Sequence, residues 1–246
     1  MMTKKLIPKL AIAAMIGCLS LGLAAPAMAQ DEAPETEEHR LPNLKARCFE
    51  AIDQRLDHLA HAQSRVDDVA ALTPRHEAAI DDIIDGTQSG LTRLSNQVEA
   101  ATEPANVVRL CATVAPDYRV YLVVLPQTHL TIGADRAQVG SDIGDAVITQ
   151  LDEAIARAEA AGADVTDAQM YRDQSAAHLD AADAANDGVA DAVLGVTPES
   201  YNTGDGAAVL DAGRASLRSA HAELKAANED GEAALKALRD AIGDLS

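Results

Sequence analysis

The chain has 246 residues and a formal net charge of −19 at pH 7, with 39 acidic against 20 basic side chains. A field of this sign repels nucleic acid and anionic lipid, so the composition argues against a protein that binds DNA, RNA or a membrane surface. Hydrophobic residues make up 48%, yet the chain has one Phe, four Tyr and no Trp. Because no alternating apolar run is framed by hairpin turns, we expect an all-α protein.

The first 29 residues have the pattern of a signal peptide. Three lysines between Lys4 and Lys9 precede an uncharged apolar run, and Ala27-Met28-Ala29 supplies the small residues that signal peptidase requires. A lipobox that ends at Cys18 is the alternative, and it would make Cys18 an acylated anchor. Cleavage after Ala29 removes three lysines and no acid, which takes the net charge from −19 to −22. We therefore expect a secreted or cell-envelope protein without a membrane span after cleavage.

Residues 30–41 are acidic and have almost nothing apolar to bury, so they predict a flexible acidic leader, with order beginning near Pro42. A first helix is predicted from about Asn43 to Leu72. Thr73-Pro74 should end it and start the next, because Thr caps a helix and Pro fits its first turn. The second helix carries a heptad seam, in which apolar or small residues alternate at steps of four and three. These are Ile80, Ile84, Thr87, Leu91, Leu94, Val98 and Ala101.

A third helix is predicted to start at Thr102-Glu103-Pro104, and its heptad seam continues through Leu125 and Thr128 to Ile132. Pro116 and Pro126 interrupt it, and each should bend or break the helix because proline lacks an amide donor. The run 120–125 could form a strand on its own. The heptad spacing on both sides favours a kinked helix instead.

The C-terminal half begins with a glycine-marked region at Gly133, Gly140 and Gly144, which we expect to be loose. An inward stripe then follows, and a fourth helix is predicted from Asp164 or Thr166 to about Gly195. Residues 197–206 are expected to be the one long non-helical connection before a last helix over 210–245. The residues of the inward stripe are Ile143, Val147, Leu151, Ile155 and Ala158.

Cys48 and Cys111 remain after signal cleavage, and an even pair in an oxidising compartment is typical of a disulfide. At about 1.5 Å per residue, Cys48 lies roughly 36 Å from the turn at Leu72, and the second helix returns by about 43 Å. Cys111 then lies about 10 Å up the third helix. Both cysteines come to nearly the same level on inward stripes, which predicts a Cys48–Cys111 disulfide. Two buried free thiols are the alternative.

The helix lengths also suggest an architecture. A third helix continuous from Pro104 to Ala161 would be roughly 87 Å long, about twice the length of the first two, so its second half needs cover from the last two helices. We expect an elongated antiparallel helical bundle of two three-helix units, 42–132 and 133–246, that share one long kinked helix as in spectrin-like repeats. A single folded-back bundle is the alternative.

The search for chemistry finds no catalytic or cofactor motif. His58 and His61 could share a metal ion, but no third ligand is apparent at their level, which favours surface histidines. His76 follows a helix start, where a ring nitrogen can satisfy a free backbone group. The set Asp183, Asn186, Asp187 and Asp191 has the composition of a calcium loop but not its register, so it indicates weak divalent-cation binding at most.

The stretch from Tyr118 to Leu125 is apolar on more than one face, which fits either a position inside the core or a surface covered by a partner. The second interpretation gives a candidate interaction surface. Its residues are Tyr118, Tyr121, Leu125, Pro126 and His129.

The same stretch resembles a set of uncharacterised secreted, coiled-coil-like helical proteins of high-GC Gram-positive bacteria. The distinctive likeness is Tyr118-Arg119-Val120-Tyr121 followed by Pro126-Gln127-Thr128-His129-Leu130, with weaker likeness over 134–136, 194–201 and 212–224. The resemblance implies export and helicity, and it transfers no activity and no catalytic residue.

The sequence thus predicts an exported, non-enzymatic helical protein without a cofactor, which acts as a structural spacer or protein-interaction module at the cell envelope or outside the cell. The alternative is a secreted helical bundle that binds a ligand or a divalent cation.

Overall fold

The computed structural model describes residues 37–244, so the predicted signal peptide, Cys18 and most of the predicted leader lie outside the described residues. Within that range the chain forms α-helices and one π-helical segment, and it forms no strand. The prediction of an all-α helical bundle is confirmed. In chain order the elements are α1 (Glu37–Asp67), α2 (Pro74–Ala100), α3 (Pro104–Thr113), the π-helical segment (Val120–Val124), α4 (Leu125–Ala160), α5 (Thr166–Asn186), α6 (Val189–Leu194), α7 (Pro198–Thr203) and α8 (Asp205–Gly243).

The first helix is displaced toward the N-terminus relative to the prediction. It begins at Glu37 rather than near Asn43, so residues 37–41 are helical, and Pro42 lies inside its second turn. The helix ends at Asp67, five residues before the predicted end.

The predicted starts of the second and third helices are confirmed. Thr73 caps α2, since its side chain accepts a hydrogen bond from the His76 backbone amide, and Pro74 occupies the first turn. Pro104 likewise occupies the first turn of α3, although Glu103 at its N-cap makes no side-chain capping hydrogen bond. The heptad seam of α2 is buried at five of its predicted positions, Ile80, Ile84, Leu91, Leu94 and Val98.

Cys48 of α1 and Cys111 of α3 form the predicted disulfide, with their Cα atoms 5.6 Å apart and 63 positions between them in sequence. The bond ties the first helix to the third beside the core of α1 and α2.

The chain does not run as one helix from Pro104 to Ala161. It leaves helical geometry after Thr113, and Pro116 lies in the turn that follows. The left-handed backbone of Arg119 then leads into the π-helical segment, which continues directly into α4. Residues 120–124 are therefore helical rather than a strand, as predicted, and Pro126 lies in the first turn of α4.

Two predictions about the connections after α4 are wrong. The fourth helix does not reach Gly195, because Gly188 adopts a left-handed φ of 68° between α5 and α6. The stretch 197–206 is not irregular, because Pro198–Thr203 forms α7. Thr197 and Ser200 build a reciprocal capping box at its start, and the Thr-Pro pair is the same start signal that opens α2.

The prediction of a loose region around the glycines of α4 is also wrong. Gly133, Gly140 and Gly144 are not in a loose region but inside α4, and each faces a leucine side chain of α8 or α5. A Cβ added at Gly144 would lie 2.5 Å from Leu179 Cδ2, so the leucine packs here against a backbone position that carries no side chain. Ile143 and Val147 consequently point outward, with 61% and 42% exposure, although both were expected inside.

The predicted inward stripe is correct from Leu151 onward, where Ile155 and Ala158 are also buried. Buried side chains form three clusters, and α4 contributes to each of them through Ile132, Leu130 and Leu151 in turn. The proposed unit boundary at 132/133 lies inside α4, and the spectrin-like arrangement stays a prediction. No helix within residues 37–244 combines the length and the apolar content needed to cross a membrane.

Candidate functional site

The residues of the predicted interaction surface occupy different depths around the π-helical segment. Tyr121 is exposed by 41% and His129 is also exposed. Leu125 and Pro126 are half-buried at the start of α4, where Leu125 packs against the α1–α2 core. Tyr118 is half-buried as well, and its burial raises the pKa of the phenol. Tyr121 is therefore the tyrosine of this set that faces solvent.

Around Tyr121 the structure assembles a small surface, the Tyr121 patch, in which the exposed residues His58, Tyr121 and Leu122 adjoin the half-buried Arg55 and Arg119. The Arg55 guanidinium lies 5.1 Å from the centre of the Tyr121 ring, a cation–π distance. The His58 ring meets the same ring edge-on at 5.3 Å. Leu122 is 44% exposed beside them, and the patch surrounds a hollow of about 70 Å³. Apolar and cationic groups thus stand together on a chain with a large excess of acids.

Arg119, which belongs to the patch, has an unusual backbone conformation. Its φ of 42° is left-handed, which costs a residue with a Cβ about 1–2 kcal/mol. Contacts with α7 hold it, since Arg119 Nε donates to Asn202 Oδ1 at 2.7 Å and the guanidinium lies 5.5 Å from the Tyr201 ring centre. Asn202 in turn donates to the Pro116 carbonyl at 3.0 Å. These contacts with α7 thereby hold the turn that precedes the π-helical segment.

His129 adds little positive charge to this surface. Desolvation, together with the nearby charge of Arg65, lowers the pKa of its imidazole below 6.5. Both effects disfavour the charged form of the imidazole.

A second candidate site lies between the start of α2, the middle of α4 and the α5–α6 junction. Asp135 of α4 is buried, and its carboxylate accepts hydrogen bonds from the Thr73 amide at 2.8 Å and from His76 Nδ1 at 2.7 Å. His76 Nε2 lies 3.6 Å from Asp191 Oδ1, and Arg75 contacts the same oxygen at 2.9 Å. Both ring nitrogens of His76 therefore face carboxylates.

A histidine oriented by a buried aspartate resembles half of a catalytic triad. In a triad, the second ring nitrogen faces the hydroxyl or thiol that it activates. Here Asp191 takes that place. The geometry is that of a polar bridge between α2, α4 and α6.

The cavity at this site, the His76–Asp135 cleft, measures about 210 Å³. Asn186 and Asp187 line it from the C-terminal end of α5, and Asp191 lines it from α6. The Asn186 amide nitrogen donates to the Ala134 carbonyl at 2.9 Å, whereas its Oδ1 atom is buried and accepts no hydrogen bond. An unmet buried acceptor costs about 1–3 kcal/mol, so this amide oxygen needs an explanation.

The sequence predicts individual residues of this cleft but not that the fold brings them together. His76 is predicted to satisfy a backbone group at a helix start, and Asn186, Asp187 and Asp191 belong to the predicted weak cation site. Asp135 was missed, although a signal for it exists, because it is the next heptad position after Thr128 and Ile132. An acid on an inward seam indicates a buried partner.

The other histidines considered for metal binding contact the backbone of their own helix. His58 Nδ1 and His61 Nδ1 each contact the backbone carbonyl four residues earlier, at 2.6 and 2.7 Å. Across residues 37–244, no group of three or more His, Cys, Asp or Glu side chains is arranged to hold a metal ion.

No protein-family model matches the chain, and neither the curated proteins nor the solved structures contain a significant match. Function has to be inferred from the Tyr121 patch and the His76–Asp135 cleft themselves.

Proposed function

We propose that this protein is an exported, non-enzymatic interaction module whose Tyr121 patch binds an acidic segment of a protein partner. The observation that carries the proposal is the exposure of Tyr121 and Leu122 at 41% and 44% beside two arginines. Aromatic and arginine side chains are enriched at the centres of protein interfaces. In a chain of net charge −19, a cationic and apolar patch favours a partner that brings carboxylates.

Two further features support export and a passive role. The signal-peptide pattern of the first 29 residues and the Cys48–Cys111 disulfide both suit an oxidising compartment. The His76–Asp135 pair faces Asp191 instead of a nucleophile, which argues against hydrolytic chemistry there. If the two bundles stack in a spectrin-like arrangement, the chain would also be a spacer that carries the patch at the cell envelope.

Site-specific photocross-linking in the producing cells tests the proposal. A photoreactive residue at Leu122 should give an adduct with one partner, and Arg55→Ala should reduce its yield severalfold. A photoreactive residue at Ile143 is the matched control, because Ile143 is exposed and apolar but lies outside the patch. Equal adducts at both positions, no adduct at Leu122, or turnover of a small-molecule panel by the purified mature protein would remove the proposal.

A second candidate function, ligand or divalent-cation binding, is favoured by the unmet acceptor in the His76–Asp135 cleft. Calorimetry of the mature protein with calcium, other divalent ions and haem tests it. No heat and no shift of the melting temperature would count against each of these ligands.

A further inference from the structure

The Arg119 guanidinium is held in place by two residues of α7. Its Nε atom donates to Asn202 Oδ1 at 2.7 Å, and its central carbon lies 5.5 Å from the centre of the Tyr201 ring. Asn202 Nδ2 donates at the same time to the Pro116 carbonyl at 3.0 Å, so one side chain holds both the arginine and the turn before it. The guanidinium is thereby ordered before any partner binds, which lowers the entropic cost of binding.

The terminal nitrogens of Arg119 are still available. Arg119 is half-buried, yet neither Nη1 nor Nη2 forms a hydrogen bond or an ion pair within residues 37–244, and neither is sealed from solvent. Because Asn202 occupies Nε, the edge that the guanidinium can offer to a partner is the one between Nη1 and Nη2. This edge carries parallel N–H donors, which match the two oxygens of a carboxylate.

The backbone of Arg119 is a second, independent indication of a binding role. Its φ of 42° is left-handed, and among residues 37–244 it is the one residue other than glycine with a positive φ. Glycine would adopt this conformation without strain, so an arginine here indicates that the side chain is needed. Strained backbone of this kind clusters at binding sites, where it holds a group in the orientation that binding requires.

We propose that Arg119 binds a side-chain carboxylate of the partner end-on, through Nη1 and Nη2, and that Asn202 is the positioning residue that presents the guanidinium. This inference rests on the proposed function of the Tyr121 patch, and it names the group with which the patch recognises its acidic partner. The hollow that Arg119 lines with Val120 and Leu122 restricts the partner further. Its volume of about 70 Å³ equals roughly two water molecules, which leaves room for a small apolar side chain beside the acid.

Photocross-linking from a photoreactive residue at Leu122 in the producing cells tests the role of Arg119. Arg119→Gly removes the guanidinium and suits the left-handed backbone. It should weaken binding about tenfold or more, the usual effect of losing a charged hydrogen bond, and lower the adduct yield accordingly. Arg119→Lys keeps the charge but has no fork of donors, so it should also lose most of the adduct. An undiminished yield in either variant would overturn the inference.

Asn202→Ala tests the positioning role in the same assay. It releases Arg119, and the cost of ordering one long side chain on binding should lower the adduct yield by about two- to tenfold. In an Arg119→Gly background the same substitution should have no further effect, because Asn202 acts through the guanidinium. Thr203→Ala is the matched control, since Thr203 is exposed and its hydroxyl donates within α7, to the Ser200 carbonyl. An equal proportional loss from Asn202→Ala in both backgrounds would reveal a purely structural role and refute the assignment.

Mass spectrometry of the adduct separates this inference from the proposed function. The cross-linked partner peptide should contain an Asp or Glu next to a small apolar residue, and a peptide without an acid beside the cross-link would contradict both proposals. Absence of any adduct at Leu122 in the otherwise unchanged chain would remove the proposed function. An adduct that depends on Arg55 but not on Arg119 or Asn202 would leave the proposed function in place and overturn this inference alone.

Discussion

Gly90 and Gly86 lie four residues apart in α2 and provide a test of how Tyr118 packs. A Cβ at Gly90 would lie 2.5 Å from Tyr118 Cε1, about 1 Å inside normal carbon–carbon contact, whereas a Cβ at Gly86 meets nothing within 4 Å. Alanine raises helix propensity by about 1 kcal/mol at either position. Because this gain is common to both variants, the difference between their free energies of unfolding isolates the contact with Tyr118.

The expected difference follows from the limited freedom of Tyr118. The close atoms belong to its ring, so the ring must move from its half-buried position to admit the new methyl group. Overpacking of this kind costs about 1–3 kcal/mol. We expect Gly86→Ala to stabilise the protein by up to about 1 kcal/mol and Gly90→Ala to be less stable than Gly86→Ala by about 1–3 kcal/mol.

Urea denaturation followed by far-UV circular dichroism measures both variants, and tyrosine fluorescence reports on the displaced ring. Equal stabilisation by the two substitutions would refute the packing of Tyr118 against α2.

Three further predictions concern the disulfide, a buried amide and a histidine. Reduction of Cys48–Cys111, or the double serine variant, should lower the free energy of unfolding by about 4 kcal/mol for a 63-residue separation; an unchanged urea midpoint under reducing conditions would contradict this. Gln127→Met should destabilise by about 2 kcal/mol or more in the same assay, because buried Gln127 Nε2 donates to three carbonyls at the end of α6 and just after it, at 2.7 to 3.2 Å. The pKa of His129 is lowered in the folded protein, so between the folded pKa and 6.5 the unfolded chain binds more protons than the folded chain does. The stability that this shift contributes is therefore present above pH 6.5, and it is lost as pH falls through the folded pKa. His129→Gln should remove this component from a series of urea midpoints across pH 5 to 8, and an NMR titration midpoint of His129 at or above 6.5 would contradict it.

Local signals in the sequence were sufficient for the starts of α2 and α3 and for the disulfide. Thr73-Pro74 and Pro104 act through their own backbone, and the position of Cys111 relative to Cys48 follows from helix rise alone. The orientation of α4 could not be read in this way. Apolar periodicity points to Ile143 and Val147, but close contact with leucines of α5 and α8 requires the glycine face. A close helix–helix contact depends on the partner helix, which the periodicity of one helix does not contain.

The two candidate sites differ in the same way in how far the sequence predicts them. The Tyr121 patch lies in the stretch that the sequence marked, although Arg55 and Leu122 join it only through the fold. The His76–Asp135 cleft needs three segments separated by more than fifty residues each, so no local pattern indicates it. Only Asp135, an acid on a heptad seam, could have been recognised as requiring a buried partner.

Buried polar contacts have a particular role in a chain with one Phe and no Trp. Faces rich in Ala and Gly offer few large side chains to interlock, so apolar packing alone discriminates weakly between neighbouring registers. Ser175 Oγ donates to the Ala227 carbonyl at 2.8 Å, and Asn186 Nδ2 donates to the Ala134 carbonyl at 2.9 Å. A shift of one helix turn would bury these donors without acceptors, at about 1–3 kcal/mol each.

The Asn186 side chain has a structural role that explains why its Oδ1 atom accepts no hydrogen bond. Its amide nitrogen fixes α5 against α4, which places Asp187 and Asp191 beside the His76–Asp135 pair. The same bond prevents the carboxamide from turning to satisfy its own Oδ1 within the protein, because rotation would give up the contact with Ala134. The register of the bundle and the unmet acceptor therefore both follow from this one side chain.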